Sequence, residues 1–83
     1  MVEFTPGMLK RQLIGQVTLN GTSEVTITVP NLEANSLVIG IVNTVGGTPA
    51  AHYISTKTPG IAGTVGFKTA ASNTSVLDVW VVA

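Results

Sequence analysis

The sequence predicts an all-β domain, a small antiparallel β-sandwich of jelly-roll-like form with about six strands behind an N-terminal arm. Three observations carry that expectation. Val and Thr dominate the chain, with twelve valines, and both residues are stiff at χ1 and suit a pleated sheet. Clusters of turn-forming residues recur about every eight to twelve positions, the spacing of short strands in a sandwich. No apolar pattern at helical spacing extends beyond about eight residues.

Each element has its own signal. Residues 1–12 read as the arm, in which Pro6-Gly7-Met8-Leu9-Lys10-Arg11-Gln12 is long enough for one helical turn only. Residues 13–83 read as a single sandwich domain. A first strand, Gln16-Val17-Thr18-Leu19, runs into Asn20-Gly21, and Glu24 to Val29 then alternates polar and apolar. Asn-Gly between two such runs predicts a hairpin, because both turn positions tolerate positive φ. Pro30 is expected to end the second strand, since it cannot donate to a ladder. Asn31 to Ser36 is a connecting loop. Leu37-Val38-Ile39-Gly40-Ile41-Val42 is apolar on both faces, the pattern of a central strand covered on both sides. Gly46-Gly47-Thr48-Pro49 is a turn, His52 to Thr56 a fourth strand, and Lys57-Thr58-Pro59-Gly60 its end. Thr64 to Thr69 is a fifth strand, Ser72 to Ser75 a turn, and Val76 to Val82 a sixth strand.

Period-two alternation gives the core. Val17, Leu19, Val25, Ile27 and Val29 share one face, and Leu77, Val79 and Val81 form another. The opposite side of the last strand carries Val76, Asp78, Trp80 and Val82. It is too apolar for a solvated face, so a second sheet or another subunit should cover it. Trp80 is accordingly either a core residue or part of a subunit interface, where Trp is enriched.

Composition excludes several function classes. Charged residues are 10% of the chain, against about 25% in ordinary domains. Four basic residues balance four acidic ones, and nucleic-acid binding needs clustered positive charge. The chain has no apolar run of membrane-spanning length. Met1 to Pro6 has neither a basic nor an apolar leader region, so no secretory signal is expected. Cysteine is absent, which removes disulfides and thiolate metal sites. Small domains without such staples commonly oligomerise or dock onto a larger partner, and a surface with few charges suits one that is largely covered.

Catalytic chemistry is thinly supplied. His52, Ser55 and Asp78 are the residue types of a nucleophilic triad, but Ser55 sits in no Gly-x-Ser-x-Gly elbow, so no enzyme is expected. His52 reads as a surface or interface residue of its strand. Metal ligands do not cluster, and no cofactor is expected. Gly60-Ile61-Ala62-Gly63-Thr64-Val65-Gly66 lacks the Lys-Ser/Thr ending of a phosphate loop and reads as a turn. Asn20-Gly21-Thr22 and Asn73-Thr74-Ser75 match the glycosylation pattern but fall at turns, where Asn is expected anyway. Lys10-Arg11 is either a solvated arm or an electrostatic contact to an acidic partner.

From Gly15 onward the chain resembles the small β-sandwich modules of tailed-bacteriophage virions. The likeness lies in Gly21-Thr22-Ser23-Glu24-Val25-Thr26-Ile27-Thr28-Val29-Pro30, in the turn within Asn43-Thr44-Val45-Gly46-Gly47-Thr48-Pro49-Ala50, and in the run from Pro59-Gly60 through Gly66-Phe67 and Asn73-Thr74-Ser75 to Val79-Trp80-Val81-Val82-Ala83. These motifs are strand and turn punctuation. Such modules occur in capsid cement (decoration) proteins and in head or tail fibres. A fibre has an anchor, a shaft and a tip, whereas a module this small is more similar to a cement protein. The resemblance implies a structural protein on the capsid surface of the virion, made in the host cytoplasm, that clamps neighbouring major capsid subunits. It further implies a homo-oligomer, with a trimer favoured. Phe4, Met8 and Leu9 would then anchor the arm on the capsid beside Lys10 and Arg11, and Tyr53, Trp80 and Val82 would form the oligomer interface. The alternative is a fibre module that binds a host receptor or glycan, for which Tyr53 and Trp80 are the available aromatics.

Overall fold

A computed structural model describes residues 11–82, which form six strands and no helix. The strands are β1 (Arg11–Thr18), β2 (Val25–Leu32), β3 (Leu37–Thr44), β4 (His52–Thr58), β5 (Gly60–Thr69) and β6 (Val76–Val82). They build two three-stranded antiparallel sheets. Sheet I has the order β1-β6-β3 and sheet II the order β2-β5-β4. The chain changes sheet at every connection except β4 to β5. With β1 beside β6 and β2 beside β5, this is the path of a long hairpin rolled into two layers, as in a jelly roll.

The core lies between the layers. Val17, Leu19, Val29, Leu32, Val65, Phe67, Leu77 and Val79 are its buried side chains, flanked by Ile14, Val25, Ile27, Val38 and Val81. The alternation in β2 and β6 therefore points the expected residues inward. Each fully buried side chain of this size contributes about 1.5–3 kcal/mol.

Four local expectations are corrected. Asn20-Gly21 does form a tight turn, with Gly21 at φ 57 and the Ser23 amide donating to the Asn20 carbonyl at 3.0 Å. It does not close a hairpin: β1 pairs with β6, and β2 with β5. The apolar faces of β1 and β2 meet across the sandwich, which buries both. Next, β3 is an edge strand rather than a central one, and its outer side chains are exposed. Third, β2 continues past Pro30 to Leu32. Pro30 stands opposite Ala62 on the outer strand of sheet II, where a missing N–H is tolerated. Finally, the segment from Gly60 to Gly66 is strand, not turn, and belongs to central β5. Its glycines answer crowding: a Cβ on Gly63 would lie 2.5 Å from the Leu32 Cβ, and one on Gly66 would lie 2.6 Å from the Glu24 carboxyl.

Polar contacts fasten both ends. The buried Asn73 amide donates to the Ala50 carbonyl at 3.0 Å and to Thr69 Oγ1 at 2.9 Å. Its Oδ1 accepts from the Ser75 amide at 3.1 Å and the Ser75 hydroxyl at 2.7 Å. This ties the β3–β4 loop to the β5–β6 turn and engages an amide that a glycan would need. Elsewhere, the Lys57 ammonium donates to the carbonyls of Ala34 and Ser36, fastening β4 to the β2–β3 loop.

Candidate functional site

The residue types of a triad are dispersed. His52, on β4, places Nε2 2.9 Å from the Gly40 carbonyl of β3. A carbonyl only accepts, so Nε2 carries the proton, and the contact bridges the two sheets. Gly40 leaves room there: a Cβ would stand 3.1 Å from the Phe67 ring. Ser55 Oγ instead donates to Glu24 at 2.5 Å. Asp78 lies on sheet I, accepting from Gln16 Nε2 at 2.9 Å and from Asn43 Nδ2 at 3.0 Å. Among the described residues no three His, Cys, Asp or Glu gather where a metal could bind, and no helix is long and apolar enough to cross a membrane.

The outer face of sheet I is the distinctive surface. Because Leu77 and Val79 point into the core, the alternate β6 residues Val76, Asp78, Trp80 and Val82 point outward. Register then places Leu13, Trp80 and Ile39 side by side across the three strands, with Val82 beside Leu37 in the next row. Exposure is 62% for Leu37, 53% for Ile41, 50% for Leu13 and 43% for Ile39. Trp80 is half-buried between its cross-strand neighbours and does not belong to the core cluster. Its expected core role is thus corrected, and its place on an outer face stands. One end of this face is apolar, while the Gln16–Asp78–Asn43 hydrogen bonds make the other end polar.

Sheet II is different outside. Thr26 and Thr28 of β2, Thr64 of β5 and Thr56 and Thr58 of β4 are cross-strand neighbours in two rows. Glu24 accepts from Ser55 and also from Thr56 at 3.1 Å. The Ser55 hydrogen bond holds the Glu24 carboxyl below its ordinary pKa, against the opposing effect of burial, with help from Thr56 and the Lys68 charge. Tyr53 is exposed on this face opposite Lys68.

The residues expected at an interface do not share one surface. Trp80 and Val82 are on sheet I, and Tyr53 is on sheet II. Arg11 is the first residue of β1, while Phe4, Met8, Leu9 and Lys10 lie outside the described residues. A cleft of about 230 Å³ between the sheets is lined by Gln12, Ile14, Val29, Leu32, Glu33 and Val81, among others. Leu13, Leu37, Ile39 and Ile41 were not singled out by sequence reasoning. The signal was present in the double-sided apolar run of β3, which reads equally as a strand with an uncovered outer face. No protein-family model, curated protein or solved structure matches the chain.

Proposed function

We propose that this chain is a structural virion protein, a cement protein that binds the outer surface of a tailed-phage capsid and clamps neighbouring major capsid subunits. The observation that supports this reading is the apolar outer face of sheet I, formed around Leu13, Trp80, Ile39, Leu37 and Ile41. Exposed apolar patches rimmed by polar groups are the ordinary signature of a protein-docking surface. Sheet I would lie against the shell, and the threonine-rich sheet II would face water. The homo-oligomer implied by the resemblance adds avidity, so each copy needs only modest affinity for the shell.

Co-sedimentation with empty capsid shells is the direct test. The chain should pellet with shells and raise their tolerance to heat and salt. Deleting residues 2–10, which spares all of β1, should weaken that binding and leave the sandwich folded, because it removes Phe4, Met8, Leu9 and Lys10 of the expected arm contacts and keeps Arg11. A chain that ignores shells but binds a glycan array through Tyr53 would replace this function with the receptor-binding fibre module.

A further inference from the structure

We infer that two copies of this chain associate through β3, pairing edge to edge and antiparallel about a two-fold axis so that their sheets I merge into one. The inference stands on the four sheet edges and is independent of any capsid. Natural edge strands are protected against such pairing by proline, charge, bulges and short length. Three of the edges here carry those devices. On β2, Pro30 lacks an N–H and Asn31 follows at φ 56. On β1, the register shifts between Leu13 and Gly15. On β4, the register shifts between Ile54 and Thr56, and Lys57 follows.

The fourth edge, β3, carries the longest uninterrupted apolar run of the four: its register shift comes only between Val42 and Thr44, and the one side chain from the other sheet on its backbone is His52, at the Gly40 carbonyl. From Leu37 to Val42, β3 contains only Leu, Val, Ile and Gly in unbroken register with β6, and its one irregularity comes after Val42. Its outward side chains are apolar and exposed. Antiparallel self-pairing about Ile39 would set Ile39 beside its own copy and Leu37 beside Ile41 of the other, and cross-strand apolar pairs of this kind are favourable. The row Leu13–Trp80–Ile39 would continue into the second copy as Ile39–Trp80–Leu13.

Charge favours the same occupant. No residue of β3 is charged, so self-pairing brings no like charges together. The nearest carboxylate, Asp78, already accepts from Gln16 and Asn43. The β4 edge, by contrast, carries the charged Lys57. The contact also closes. A two-fold contact uses the same edge on both copies, so the association stops at two copies instead of growing into a fibre. Area sets its strength. Eight residues at about 3.3 Å each span roughly 26 Å, and the thinnest dimension of the molecule is 16 Å. Their product, roughly 400 Å² per copy, is half of the ~800 Å² per partner in a standard interface. The dimer is therefore weak in dilute solution, and its two-fold symmetry differs from the trimer that the resemblance implies.

Sedimentation equilibrium of the full chain, without shells, from about 10 μM to about 1 mM spans the range where a sub-standard interface dissociates. The average mass should rise from monomer towards dimer. Ile39→Lys places two ammonium groups near the two-fold axis and should weaken association by at least about tenfold, whereas Leu13→Lys, at the far edge of the same face, should change it by less than about threefold. Hydrogen exchange on the unmodified chain should show concentration-dependent slowing confined to residues 37–43, which decides the matter even if the β3 variant fails to fold. A monomer at every concentration, a trimer, equal weakening by both variants, or slowing in β1, β2 or β4 instead would overturn the inference.

Discussion

Sheet I and sheet II share one core, yet their outer faces are built to different rules. Sheet II turns Thr26, Thr28, Thr56, Thr58 and Thr64 outward, with Glu24 held by Ser55 and Thr56. Sheet I turns out Leu13, Leu37, Ile39, Ile41 and Trp80. Threonine and isoleucine are both β-branched and both favour strands. A threonine face therefore satisfies the backbone as well as an isoleucine face, and sheet II shows that this sandwich accepts one. Strand propensity alone therefore does not call for the apolar outside of sheet I.

The largest expected effect removes what the two sheets have in common. Phe67 is fully buried between them, so Phe67→Ala should cost about 3–5 kcal/mol, a large share of the stability of so small a domain. A urea midpoint that barely moves would show that the layers do not depend on each other. A second experiment makes sheet I resemble sheet II. Leu13→Thr, Ile39→Thr and Ile41→Thr each replace an exposed side chain and should change stability by about 0.5 kcal/mol or less. Together they should abolish co-sedimentation with capsid shells. Retained shell binding would show that the difference between the faces has no bearing on docking.

The smallest effect belongs to sheet II alone. Glu24 has a lowered pKa in the folded chain, so its hydrogen bonds favour folding above the ordinary carboxylate range. That contribution fades as pH falls through the folded pKa. Ser55→Ala removes the first cause of the shift and should bring the Glu24 carboxyl back towards its ordinary value of 4.5, as read by an NMR titration. An unchanged titration would assign the shift to Thr56 and Lys68.

Strand existence was legible in the sequence because it depends on local residue type. Val76 to Val82 and the turns at Gly46-Gly47 and Asn73 follow from propensity and punctuation, and the structure places them there. Strand partners were less legible. Asn20-Gly21 dictates a tight turn but not whether the flanking strands lie side by side or on facing layers. The packing of Val17 and Leu19 with Val29 across the sandwich settles that. The run from Gly60 to Gly66 misleads for a related reason. Gly63 and Gly66 are small because Leu32 of β2 and Glu24, just before β2, approach them, and no local pattern announces a long-range neighbour. Of the apolar outer face of sheet I, Trp80 and Val82 were legible from the alternation of β6. Leu37, Ile39 and Ile41 were not, because an apolar strand reads the same whether its outer face is covered or exposed.

The position of β6 carries a consequence for how the molecule comes to be folded. It is the middle strand of sheet I and the last strand in sequence among those described, pairing Val82 with both Arg11 and Leu37. During synthesis β1 and β3 have no sheet partner until β6 has emerged, whereas β2, β5 and β4 can already assemble. Sheet II is thus the natural nucleus, and sheet I closes onto it in a late step that joins distant parts of the chain. Such long-range pairing is slow, in the millisecond-to-second range for all-β domains. Until it is complete, β3 has no strand beside it in sheet I, so the last step of folding is also the one that first covers its backbone groups.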